Sequence, residues 1–151
     1  MQRLVLAGAL AAGLFAQLAQ EESRPAEQPE PITVRWDEMP NGQDFTRNYP
    51  HEAARRGVQG VALLCCSVRE DRRLDCTIPL SWPAGHGFDT ATLAIAEKFR
   101  VSEQSYSELQ SAPPQPVRRW ILWRLGERTS EFERAAAQVR EAGRNMCVAA
   151  Q

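Results

Sequence analysis

The chain has 151 residues, 43% of them apolar, and a formal net charge of -1. That length supports one domain with a modest core, and the balanced charge gives no reason to expect nucleic acid or a strongly acidic partner. Seventeen of the eighteen basic residues are Arg, and doublets such as Arg55-Arg56 and Arg118-Arg119 read as solvated faces rather than as a polyanion site.

Arg3 precedes an apolar run of sixteen residues, Leu4 to Ala19. A membrane span needs about 20 apolar residues and a signal-peptide core about 7 to 15. Residues 1–20 are therefore expected to be a cleaved export signal, with a short membrane anchor as the alternative. Residues 21–44 read as a Pro/Glu-rich linker and lead-in: EESRPAEQPEP holds three Pro and four Glu and little that can be buried. ITVRW follows as a short strand or extended segment, with Trp36 expected to dock on the domain.

Tyr49-Pro50 starts a short helix that stops at Gly57, with Glu52 near its positive end. Gly60 to Val68 reads as a strand with two apolar faces. Ala62, Leu64, Cys66 and Val68 share one face; Val61, Leu63 and Cys65 share the other. One face is expected to meet helices; the other is open to two readings, cover by the C-terminal helix or by a partner. After a turn at Glu70 to Arg73, Leu74, Cys76, Ile78 and Leu80 alternate along a second strand. Asp89 is expected to cap a second helix, with Phe88 and Leu93 as a hydrophobic staple and Leu93, Ala96 and Phe99 as core positions. Residues 102–116 read as a polar, Pro-containing connection. VRRWILWRL, Val117 to Leu125, is the third strand, and Thr129 or Ser130 opens a final helix with Phe132, Ala136 (or Ala135), Val139 and Met146 along its apolar stripe. The expected fold is α+β: a small antiparallel three-stranded sheet with two packed helices and an additional C-terminal helix. The boundaries are a domain over 45–126 and a helical extension over 127–151.

The four cysteines are Cys65, Cys66, Cys76 and Cys147. In an exported chain an even count suggests disulfides, the other reading being four small apolar fillers. Adjacent strand residues point to opposite faces, so a Cys65–Cys66 bridge is disfavoured. One of the two then pairs with Cys76 and the other with Cys147. Folding the hairpin at Asp71-Arg72 brings Cys66 and Cys76 together on one face.

No residue set announces chemistry. His51 lies in a first helical turn and His86 in a glycine-flanked loop, and local sequence places no nucleophile beside either. There is no C-x-x-C, no phosphate-cradling glycine pattern, no HExxH and no EF-hand. The chain is read as a non-enzyme with no catalytic residue, no metal and no cofactor. The physical alternative is peptide capture, because the edge of a small sheet offers unpaired N–H and C=O groups to an added strand. The candidate edge is the third strand, with Val117, Arg119, Trp120, Ile121, Leu122, Trp123 and Leu125 as its contacts. The other reading of Trp120 and Trp123 is burial on opposite sides of the sheet.

Three pieces in order carry a resemblance: Tyr49-Pro50 with Ala53, Ala54-Arg55 and Gly57; VQGVALLCCSVREDRRL; and FDTATLAIAEKFRV, Phe88 to Val101. With the third strand they cover 45–101 and 117–125, and the chain resembles the TonB C-terminal domain family. The resemblance implies a periplasmic protein-binding module that pairs with an extended segment of an outer-membrane receptor in energised transport, with an inner-membrane-anchored form as the alternative location. The chain departs from the family in three ways. Residues 21–44 reach only about 80 Å when extended; Asp71-Arg72 stands where the family turn has Asp-Gly; and a helix follows the third strand. These departures favour a small exported protein using the fold for another contact. The second hypothesis is an envelope-associated structural protein that forms a homodimer through the same edge.

Overall fold

The computed structural model describes residues 32–147. The signal-or-anchor reading of residues 1–20 and the linker reading of 21–31 lie outside the described residues. Among the described residues no helix is long and apolar enough to cross a membrane. The expectation of an inner-membrane-anchored form finds no span among residues 32–147: even the 13-residue final helix reaches only about 20 Å, against a hydrocarbon core of about 30 Å.

Strand β1, Trp36–Glu38, leads into helix α1, Gly42–Asn48. Asn41 caps α1 by accepting from the N–H groups of Gln43 and Asp44, while the Asp44 carboxylate accepts from the Asn41 N–H. This reciprocal box is the local reason for a helix that the hydrophobic pattern alone misses. Helix α2, His51–Arg55, follows from Pro50 and ends before Gly57, whose φ of 64° suits the glycine. Ala53 is buried beneath it and Ala54 is exposed.

Strands β2, Gly60–Val68, and β3, Leu74–Trp82, form the hairpin. Helix α3, Phe88–Ala96, strand β4, Arg100–Val101, helix α4, Glu103–Ser111, strand β5, Val117–Trp123, and helix α5, Ser130–Ala142, complete the chain. The main sheet is antiparallel with order β3-β2-β5, and β1 pairs with β4 in a second, two-stranded sheet. The α+β class and the three-stranded sheet stand. The expected two helices plus a C-terminal helix become five among the described residues, and the second sheet is an addition. The polar connection expected over 102–116 contains α4, started by the Ser102 hydroxyl accepting from the Ser105 N–H. A largely polar helix hides its periodicity from a hydrophobic reading.

The main sheet is filled on both faces. On one, Leu64, Cys66, Val117, Ile121 and Trp123 pack with α1, α2 and α3 through Phe45, Ala53, Phe88 and Ile95, and with Phe99 just past α3. On the other, Val61 packs with Phe132 and Ala136 of α5, flanked by Trp120, Leu122 and Val139. The part of the second face made by β2 and β5 is thus covered by the chain's own final helix, while Ser67, Asp75 and Thr77 on that face are exposed. Met146, expected on its stripe, is exposed.

Two expectations for side-chain direction are corrected. Between Leu63↔Leu80 and Cys65↔Thr77 the register of β3 shifts. The extra residue falls at Ile78-Pro79, where Pro has no N–H to give the ladder and a bulge accommodates it. Leu80 is thereby turned to the α5 face with Leu63, away from Leu74, Cys76 and Ile78. In α3 the staple of Phe88 with Leu93 is not made, because Leu93 is 42% exposed. Phe88 fixes the buried stripe as Phe88, Ala91, Thr92, Ile95 and Ala96, and a residue five positions on lies about 140° round the helix. Gly87, at φ 79°, is the N-cap of α3, and Asp89 sits in its first turn.

The hairpin tip is tied to the small sheet. Arg72 adopts φ 65°. Its side chain pairs with Asp37 and donates to the Val101 carbonyl at 3.1 Å, and its carbonyl accepts from the Val101 N–H at 2.9 Å. Arg73 and Arg100 both pair with Glu38, at 3.0 and 3.3 Å. Their hydrogen bonds hold the Glu38 carboxyl below its ordinary pKa.

Candidate functional site

Strand β5 pairs with β2 from Gly60↔Trp123 to Cys66↔Val117, and with nothing else among the described residues. Among the described residues no other backbone–backbone hydrogen bond involves residues 117–123, and the Trp123 carbonyl accepts in addition from the Tyr49 hydroxyl at 3.5 Å. Which of its groups face outward follows from the ladder. The Cα atoms of Cys66 and Cys76 are 4.0 Å apart, the spacing of a non-hydrogen-bonded antiparallel pair. Cys66 therefore turns its own N–H and C=O to β5. By alternation Val117, Arg119, Ile121 and Trp123 bond inward to β2. Arg118, Trp120 and Leu122 present their backbone groups at the free edge.

The side chains of the expected contact set divide sharply. Val117, Ile121 and Trp123 are buried in the core. The Trp123 indole N–H donates to the Thr92 hydroxyl at 2.8 Å, and its ring meets Phe45 and Tyr49 edge-on at 5.3 and 5.6 Å. The buried phenol of Tyr49 donates to the Val58 carbonyl at 2.8 Å, and burial pushes its pKa up to about 12. Trp120 and Leu122 lie half-buried under α5. A Cβ on Gly143 would meet the Trp120 ring at 2.6 Å, so this glycine lets the end of α5 approach the tryptophan. Trp120 and Trp123 do occupy opposite sides of the sheet. Leu125 lies beyond the end of β5 and is exposed. Arg119 is half-buried, its guanidinium carbon 5.4 Å from the Trp36 ring centroid and 5.2 Å from that of Phe99. Arg118 donates to the Gly143 carbonyl at 3.0 Å. What β5 offers a partner is chiefly backbone, with Arg119 beside it. The pairing of Arg119 with Trp36 was hidden in the sequence, since 83 residues separate them.

Both disulfides are present: Cys66–Cys76 across the hairpin and Cys65–Cys147 from the other face of β2 to the segment after α5. The second anchors the end of α5 beside β5. Near the start of β5, a cavity of about 560 Å³ is lined by Cys66, Val68, Cys76, Leu109, Pro114 and Pro116 among others. It opens where β2 runs on past its last β5 partner, leaving Ser67 and Val68 unpaired on that side. His51 is exposed and His86 partly so, on separate segments. Among the described residues no group of three or more His, Cys, Asp or Glu side chains is arranged to hold a metal ion.

A comparison with protein-family models finds no match to this chain, and a comparison with curated proteins finds none either.

Proposed function

We propose that the protein is a binding module that takes an extended segment of another protein as a fourth strand on β5, in the manner of the TonB C-terminal domains it resembles. The observation that carries this reading is the free edge: Arg118, Trp120 and Leu122 direct their backbone groups away from β2, and no backbone bond among the described residues occupies them. An added strand satisfies them, and main-chain bonds supply affinity and register. The strand behind that edge is stiff, buried on one face by Trp123 and Ile121 and covered on the other by α5. A partner's pull on such an edge would be borne by backbone pairing with no bond chemistry. The resemblance points to an outer-membrane receptor segment as the occupant.

The test removes one outward donor while keeping the inward ladder. Arg118→Pro deletes an N–H that faces the edge, and Arg118→Ala controls for loss of the side chain. Peptides from receptor N-terminal segments are expected to bind the wild type and Arg118→Ala, and to bind Arg118→Pro at least about tenfold more weakly, the loss of about one well-formed hydrogen bond. Equal binding by all three proteins would contradict edge capture. A concentration-dependent mass with no peptide binding would favour self-pairing of the edge instead.

A further inference from the structure

We propose that the segment captured by β5 carries a carboxylate side chain, read by Arg119. This rests on the edge-capture reading above and names the chemistry of its ligand.

Eight arginines elsewhere in the described chain are ion-paired. Arg119 is not among them, and no hydrogen-bond acceptor meets its guanidinium among the described residues. It is nevertheless held in place, its guanidinium carbon lying over both the Trp36 and the Phe99 ring. These cation–π contacts fix the position of the cation without supplying an oxygen acceptor to its N–H groups. The result is a pre-positioned fork without an acceptor, and such a fork matches a carboxylate. The surrounding strand adds to the preference: Arg118, Arg119 and Arg124 lie in a stretch, Val117 to Gly126, that contains no acid. The near-zero charge of the whole chain conceals this local excess.

Geometry fixes where the carboxylate sits. A residue directly opposite Arg119 in an added antiparallel strand projects to the same face, with its Cβ about 5 Å from that of Arg119. Only an extended backbone satisfies the outward groups of Arg118 and Trp120 at the same time, which favours an acidic peptide over a free anion.

The full-length, disulfide-bonded protein is titrated with two synthetic nine-residue peptides of alternating Thr and Val. They differ only in Glu or Gln at the central position, and NMR reports the β5 amides. The Glu peptide is expected to bind about five- to tenfold more tightly at low salt, the advantage shrinking in about 0.5 M salt. In Arg119→Met the ratio of the two affinities falls to about one. Arg119→Lys, which keeps the positive charge but loses the planar fork, falls between and serves if the Met variant does not fold. Equal affinities for the wild type, with shifts at Arg118, Trp120 and Leu122, would overturn the carboxylate inference and leave edge capture standing. Binding of neither peptide would overturn both.

Discussion

Arg72 holds a φ of 65° at the hairpin tip, a left-handed conformation that costs a residue with a Cβ about 1–2 kcal/mol. The pair with Asp37 and the bond to the Val101 carbonyl offset that cost. Arg72→Ala and Arg72→Gly both lose these contacts, so the glycine variant is expected to be the more stable of the two by about 1 kcal/mol in urea unfolding. Thr92 is buried and accepts from the Trp123 indole. Thr92→Val strands that donor in the core and is expected to cost about 1–3 kcal/mol by the same measurement. Tyr49 sets a pH limit. Its folded pKa is raised from 10.0 to about 12 by burial, so the neutral phenol's contribution is complete below pH 10 and is lost as pH rises towards 12. Alkaline unfolding in that window, delayed in Tyr49→Phe, is the expected outcome. None of these roles was legible locally. The sequence places Asp71-Arg72 at a turn, but Asp37 lies 35 residues away, and nothing around Thr92 announces Trp123.

Alternation and cysteine spacing made the elements of the hairpin readable. Gly60–Val68 matches its strand to the residue, and the Cys66–Cys76 bridge follows from folding at Asp71-Arg72. Pro79 broke the pattern. A bulge transfers every later side chain to the opposite face, which is why Leu80 meets Leu63 and α5. Helix α1 left its capping box in Asn41 and Asp44, a signal masked by the extended look of its lead-in, whereas α4 had only Ser102 and a polar sequence. The two bridges should differ in weight. Cys65–Cys147 closes 82 residues and Cys66–Cys76 only 10. On loop entropy, paired Ser substitutions are expected to cost about 4.5 kcal/mol at the first and about 2.7 kcal/mol at the second, read from urea midpoints. Gly60→Ala, by driving a Cβ into the buried Phe88 ring, is expected to cost about 1–3 kcal/mol.

For the whole molecule, the final helix and its disulfide decide what remains available. With α5 on one side of β5 and β2, and α1 to α3 on the other, both faces behind β5 are covered, and the edge of β5 is the open backbone surface of that strand. The order α2, β2, β3, α3, β5 and α5 was legible because each of those runs is bounded by Gly, Pro or a cap, whereas α1, β4 and α4 were not. The covering of the second face was not, because it depends on a contact between Val61 and Phe132 that spans half the chain. The most direct test is residue-resolved hydrogen exchange on β5 with and without an extended receptor-segment peptide. Edge capture predicts that the amides of Arg119, Ile121 and Trp123 are protected throughout, while those of Arg118, Trp120 and Leu122 exchange rapidly alone and become protected on binding. Rapid exchange of all three with saturating peptide, or their protection without any, would contradict it.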